Sequence, residues 1–380
     1  MLWSEEALIL SVLAQIPDLG PSRLAKLLAN SAGPQAILQA DQAFWQAAGV
    51  PPDCYAHCRK MDWEVELSRR ERELAESETG LVCILDSNYP RELRKIDSPP
   101  PVLYYQGDLS LTERGLCLAV VGTRRATQQG LNIASDFSYN LAEIGVVIVS
   151  GLATGIDGAA HRAALKAGGK TIAVLGGGLA KIYPQEHRGL AGEILREGGL
   201  LLSEYPPRYP AYPQQFIARN RIISGLSKGV VVVEAPARSG ALITAGFAVE
   251  QGREVFVVPG AIYQANWVGS NRLVKQGACL ITGVDDLLQE LALLNFGHTT
   301  GADKIVFSEV EATILQQITL GTETVEALLE TTQIEMGRLS YALTNLQLNK
   351  FITVSLDGRL LPGPLWSKAV ISLQNEAASL

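Results

Sequence analysis

Through the middle of the chain, short unbroken runs of apolar residues alternate with longer stretches in which apolar and polar residues follow a helical period. The runs at Cys117–Val121, 146–150, Thr171–Leu175, Leu200–Ser203, 230–234, 254–258 and 279–282 are rich in β-branched residues. They lack the polar alternation of a half-exposed strand, so they predict strands buried on both faces. Between them, 129–144, 157–167, 186–197 and 241–251 predict amphipathic helices. Strand and helix repeated in this order give a mostly parallel sheet, and the expectation is a Rossmann-like α/β domain. Ligands of such sheets sit outside the carboxyl ends of the strands, so the loops after each run are where chemistry is expected.

The flanks have a different pattern. Residues 1–80 read as a helical domain. At 16–28 a turn with Gly20 lies between two apolar helical runs, an arrangement similar to a helix-hairpin-helix or SAM-like unit. Its glycine would let backbone amides approach a phosphate, whereas a helical packing domain without DNA contact fits the local acidic balance equally. The Rossmann-like domain is placed at 81–290 and a linker at 291–307. Three helical patterns and an Asp-Gly hairpin at 308–362 predict a winged helix, and 363–380 reads as a tail. Residues 305–362 hold three basic and seven acidic side chains, which favours a protein contact over a phosphate contact for that module.

Composition sharpens this picture. With 380 residues, 47% of them hydrophobic, the chain can fill two to three cores. No apolar run approaches the roughly 18 residues that span a bilayer, so no membrane association and a cytoplasmic location are expected. Cys54, His57 and Cys58 share one segment, but no second pair of ligands lies at zinc-site spacing, and ordinary reduced thiols are expected in place of a metal or a disulfide framework. The net charge of −7 argues at first against nucleic acid. It is unevenly spread: residues 1–116 carry −6, residues 117–283 carry +6 and residues 284–380 carry −7. The only basic part is the part with the Gly-rich loops.

The first strand runs into Gly122, Thr123, Arg124 and Arg125 ahead of a helix, a combination suited to a phosphate. It lacks Gly-x-Gly-x-x-Gly and the downstream acidic residue of a dinucleotide site. After the second strand come Gly151, Gly155 and Asp157, with His161 one turn further on. That spacing suits an acid/base pair, although an Asp in a first helical turn more often complements the helix dipole. The third loop, Gly176-Gly-Gly to Pro184, is able to present amides. After the fourth strand, Tyr205, Tyr209, Tyr212 and Phe216 precede Arg219, Asn220 and Arg221. Aromatics that stack on bases, interleaved with arginines that pair with phosphates, suit single-stranded nucleic acid. The competing reading has the rings covering a sheet edge and the arginines in internal salt bridges. Arg238, Ser239 and Gly240 open a further helix. None of these loops unites a nucleophile, a base and an orienting carboxylate, which favours binding over catalysis.

Taken together the loops closely resemble the DNA-processing protein A (DprA/Smf) family. The matching pieces include Val-Gly-Thr-Arg-Arg (121–125), Ser-Gly-Leu-Ala-Thr-Gly-Ile-Asp (150–157), Tyr-Pro (183–184), Ser-Glu-Tyr-Pro (203–206), Arg-Asn-Arg-Ile-Ile-Ser-Gly-Leu-Ser (219–227), Ser-Gly-Ala-Leu-Ile-Thr-Ala (239–245) and Gly-Arg-Glu-Val-Phe-Val-Val-Pro-Gly (252–260). The resemblance implies a non-enzymatic, cofactor-free protein that binds single-stranded DNA, dimerises through its Rossmann-like domain and loads RecA recombinase in natural transformation. Carried over by position, the DNA pocket comprises Gly122, Arg124, Phe216, Arg219, Asn220, Arg221, Ser239 and Gly240, with Arg125 and Gly151 from the same loops. Ala180 and His187 depart from the family's usual Asp and Asn in the third loop. Two other readings compete: a nucleotide phosphoribohydrolase-like enzyme, whose loop glutamate is missing from 235–244, and a transcription factor acting through the winged helix.

Overall fold

The computed structural model describes residues 3–296, 307–348, 351–355, 359–363 and 366. They fall into two compact units, Met1–Leu291 and Ala292–Leu380.

The first unit is built on one nine-stranded sheet. Its strands are β1 (Gly80–Cys83), β2 (Val102–Gly107), β3 (Cys117–Val121), β4 (Val147–Ser150), β5 (Thr171–Leu175), β6 (Leu200–Ser203), β7 (Gly229–Val232), β8 (Glu254–Val257) and β9 (Cys279–Leu280), in the order β1-β2-β6-β5-β4-β3-β7-β8-β9. The seven strands from β3 to β9 run parallel, and β1 and β2 extend the sheet antiparallel beyond β6. Every residue of β3 to β7 is buried, the result of crossover helices covering both faces. This is the expected Rossmann-like sheet. The helices Gln128–Glu143, Ile156–Lys166, Arg188–Arg196 and Gly240–Glu250 begin within two residues of their expected starts, the third preceded by a short 3-10 turn at Gln185–His187.

Six helices between Glu5 and Glu76 precede the sheet. Their apolar faces share one core with β1, β2, β5 and β6, in which Leu10, Leu24, Trp45 and Leu74 meet Tyr104 and Leu201. The turn between Glu5–Leu13 and Gly20–Ala29 has Asp18 at φ 62° and Gly20 at φ 59°, the left-handed region that glycine enters without strain. The helix Val284–Phe296 runs past residue 291, where the linker was expected to begin. It does so because Leu287 and Leu291 continue the helical period into the core around Trp267 and Ile281.

In the second unit the helices Glu309–Thr319, Val325–Thr332 and Met336–Leu348 are followed by two antiparallel strands, Ile352–Val354 and Leu360–Pro362. A core of Ile314, Leu315, Leu328, Leu339 and Leu346 includes the edge-on pair Phe307 and Phe351, 5.2 Å apart. Ser308 and Glu311 close a reciprocal capping box at its first helix. The Asp-Gly turn at 357–358, residues 297–306 of the linker and, apart from Trp366, the tail from residue 364 lie outside the described residues. No helix among the described residues is long and apolar enough to cross a membrane.

Candidate nucleic-acid interface

At the carboxyl ends of the parallel strands a cleft of about 470 Å³ opens between the loop after β3, the helix Pro213–Leu226 and the start of the helix Gly240–Glu250. The helix Pro213–Leu226 starts on Pro213, and the Tyr212 N–H donates to Gln215 Oε1 at 2.8 Å. Phe216, Arg219, Asn220 and Ile223 follow at i, i+3, i+4 and i+7, so they share one face, and all four line the cleft. Arg221 is about 140° round the helix from that face by the same period. It points away, with its guanidinium paired to both oxygens of Glu204 at 2.5 and 2.9 Å and donating to the Ser98 carbonyl at 3.0 Å. Of the ten residues singled out in the sequence, the cleft gathers Gly122, Arg124, Arg125, Phe216, Arg219, Asn220, Ser239 and Gly240, and it leaves Gly151 and Arg221 off its lining.

The accessible part of the cleft is basic and aromatic. Arg124 is exposed and lies 5.3 Å from the centre of the Phe216 ring, which in turn packs 5.4 Å from Tyr183 at 50°. Arg125 and Arg238 are exposed on the rim, and among the described residues none of these three arginines is within 4.0 Å of a carboxylate. Ser239 caps the helix Gly240–Glu250, Asn220 Nδ2 donates to the Gly240 carbonyl at 3.2 Å, and the space above Gly240 is empty. Ser239 takes the Ala241 N–H on its hydroxyl and the Leu242 N–H on its carbonyl, so at this helix end it is the Gly240 N–H that is left to face an anion.

The corresponding end of the helix Gln128–Glu143 is closed, contrary to the phosphate-loop expectation for the first strand. Thr127 caps Gly130, and the buried Glu234 carboxylate accepts from the Thr127 N–H at 3.1 Å, from its hydroxyl at 2.8 Å and from Asn266 Nδ2. A Cβ on Gly130 would lie 1.8 Å from Glu234 Oε2, so the protein's own anion sits where a phosphate would. Glu234→Ala leaves the half-buried Thr127 N–H and hydroxyl without this acceptor, and urea unfolding should register a loss of about 2 kcal/mol, of which Glu234→Gln recovers part.

In the third loop two amides are taken up internally, Gly178 N–H donating to the Tyr209 carbonyl at 2.9 Å and Ala180 N–H to that of Pro207 at 2.8 Å. Tyr205 and Tyr209 stack on each other at 5.3 Å and Tyr212 meets Tyr209 edge-on, away from the cleft lining. Only Phe216 of the four aromatics reaches it. Tyr183 and Arg238 also line the cleft. Both stood in loops recognised from the sequence, but nothing in their spacing separated them from their neighbours.

Beneath the cleft, Arg219 is only 4% exposed. Its Nη1 donates to the Gly151 carbonyl at 2.6 Å and to that of Val174. A Cβ at Gly151 would sit 2.3 Å from that nitrogen, so this glycine makes room for the guanidinium. The Gly151 N–H donates to Asp157 Oδ2 at 3.2 Å. Burial pushes the Asp157 carboxyl above its ordinary range, against the opposing pull of Arg219 and of backbone donors. Burial likewise lowers the Arg219 guanidinium to about 10. His161 Nδ1 lies 2.7 Å from the Thr171 hydroxyl, which itself donates to the Ile148 carbonyl, so the ring carries its proton on Nδ1 and leaves Nε2 buried without a partner. His187, at one of the departures from the family pattern, is buried with Nδ1 2.8 Å from the Leu152 carbonyl. Cys54 and Cys58 are buried while His57 is exposed, and the described residues contain no cluster that could hold a metal ion.

Fold and cleft together define a Rossmann-like domain with a basic, aromatic-lined groove at the carboxyl edge of its sheet. The chain belongs to the DNA recombination-mediator protein A family, DprA/Smf, whose model matches residues 80–292. DNA processing protein DprA of Bacillus subtilis is 44% identical over 218 residues, which is 57% of this chain and 73% of that relative. The crystal structure of DNA processing protein A from Streptococcus pneumoniae superposes with a TM-score of 0.65 at 37% identity, over 73% of this chain and 96% of that one. DNA processing protein A from Helicobacter pylori, solved for its single-stranded DNA binding mode, gives 0.52 at 31% identity over 57% and 97%.

Proposed function

We propose that this chain binds single-stranded DNA in the cleft and serves as a recombination mediator, loading RecA recombinase onto incoming DNA in natural transformation. The observation that carries this reading is the row formed by Tyr183, Phe216 and Arg124 beside the open N-terminus of Gly240–Glu250. Rings and a guanidinium take unstacked bases of any sequence, and the adjacent helix end and rim arginines take the phosphates. Gly122, Arg124, Arg125, Phe216, Asn220, Ser239 and Gly240 are the contact residues in this reading. Arg219, Gly151 and Arg221 position them from inside. A homodimer through the Rossmann-like domain, a winged helix at 308–362 engaged in protein contact and a cytoplasmic location complete the proposal.

The charge distribution supports selectivity for single strands. The +6 of residues 117–283 lies between acidic segments of −6 and −7, so a stiff duplex gains little from the overall field while a flexible strand can follow one basic groove. Arg124→Ala should weaken binding of oligo-dT about tenfold and lower the log–log salt slope by about 0.7, the contribution of one single-strand phosphate. Fluorescence anisotropy across a salt series, with a duplex of equal length as competitor, measures both. Unchanged affinity in the variant would remove Arg124 from the site, and a duplex that competes as well as a single strand would overturn the selectivity.

A nucleotide-hydrolysing role is not favoured. The carboxylate among the residues lining the cleft is Asp157, which is buried and bonded to the Gly151 amide.

A further inference from the structure

The loop after β8 carries an exposure that neither the sheet nor the cleft uses: Ile262 is 74% and Tyr263 95% exposed. The loop is nevertheless held firmly at both feet. Gly260 N–H donates to Asn271 Oδ1 at 3.2 Å, and Asn271 Nδ2 donates back to the Gly260 carbonyl at 3.0 Å. At the other foot Asn266 Nδ2 donates to the Arg125 carbonyl at 3.0 Å and to the Glu234 carboxylate, and the neighbouring Trp267 is fully buried. Between them the Gln264 N–H closes a turn on the Ala261 carbonyl at 3.0 Å. An aromatic ring standing in water at the tip of a pinned loop gains nothing from the fold, and its neighbour is a basic rim. Tyr263 is three residues, at most about 11 Å of chain, from Asn266, whose side chain reaches the Arg125 carbonyl. The loops after β3, β7 and β8 follow one another along the same sheet edge, at strand spacings of about 4.8 Å.

We propose that Tyr263, flanked by Ile262, is a second base-stacking platform that takes single-stranded DNA as it leaves the cleft past Arg125. The proposal rests on the single-strand reading above and extends its footprint. Arg125 would hold the phosphate between a base seated at Phe216 and one seated at Tyr263, a division of labour between rings and guanidinium that tolerates any sequence. Charge favours this occupant over a second protein surface, since Arg125 is exposed and has no ion-pair partner among the described residues.

The test compares full-length wild type, Tyr263→Ala and Tyr263→Phe on oligo-dT of about 4 and about 16 nucleotides, the ends of the usual site-size range. Tyr263→Ala should lose about tenfold in affinity on the longer strand and little on the shorter, and Tyr263→Phe should keep wild-type affinity on both. Equal loss on both lengths, or no loss on either, overturns the platform while leaving the cleft reading intact. An altered native mass with unchanged DNA affinity would assign the tip to a second copy of the chain and also overturn it. Failure of the wild type to bind either strand sinks the single-strand reading itself, and the platform with it.

Discussion

Replacing Arg219 by alanine should destabilise the protein by about 3–5 kcal/mol and abolish the cleft, although this residue offers almost no surface to a ligand. Its guanidinium ties the carbonyl of Gly151, after β4, to that of Val174, within β5, and its charge opposes the desolvation of the buried Asp157 carboxyl. Without it Asp157 is a buried carboxylate facing no cation but the distant Arg124. The pH dependence of the deficit identifies the cause. A carboxyl whose folded pKa is raised binds more protons folded than unfolded, so its contribution to stability is best at low pH and is lost as pH rises above the unfolded value of about 4. Removing Arg219 raises the Asp157 pKa further. The gap between wild type and Arg219→Ala in urea unfolding should therefore be smaller at pH 5 than at pH 8. Adding Asp157→Asn to Arg219→Ala should recover part of the loss at pH 8, and a gap independent of pH would refute the account.

How much of this could be read beforehand differs between sheet and site. The parallel strands were legible because burial on both faces leaves continuous apolar runs, and β3, β5 and β6 match to the residue. β1 and β2 were not, since Gly80–Cys83 is four residues long and Val102–Gly107 ends in partly exposed positions, which blurs both periods. The correct loops were evident from their glycines and arginines, but their state was not. Which helix N-terminus is free depends on Glu234, 107 residues from the Thr127 it caps. Arg219, Asn220 and Arg221 are consecutive and look equivalent as a string. A 100° turn per residue sends the first two to the cleft and the third to Glu204. The suspected rivalry between DNA-facing and structural arginines thus has no single answer for this segment. Its aromatics divide likewise: Tyr205, Tyr209 and Tyr212 pack against one another, whereas Phe216 meets Arg124.

Acid should lower the stability of the fold through His161. The ring is fully buried, and burial first, then His187, Arg219 and Arg162, holds its pKa down to about 3. The unfolded chain takes up a proton at this residue near 6.5. The stability that the neutral ring contributes is therefore complete above about pH 6.5 and is lost as pH falls toward 3, with a full span on the order of 4–5 kcal/mol and about 2 kcal/mol already gone at pH 5. The geometry explains why the folded state refuses the proton. Nδ1 already donates to Thr171, and a proton on Nε2 would have no acceptor. His161→Asn can keep a donor toward the Thr171 hydroxyl and does not titrate. Its urea unfolding free energy should fall less between pH 7 and pH 5 than that of the wild type, by about 2 kcal/mol. Parallel curves would show that another group carries the acid sensitivity. Because the folded ring stays neutral down to about pH 3, the loss between pH 7 and pH 5 comes from proton uptake by the unfolded chain, and the helix Ile156–Lys166 keeps its hold on Gly151 through Asp157 in every folded molecule.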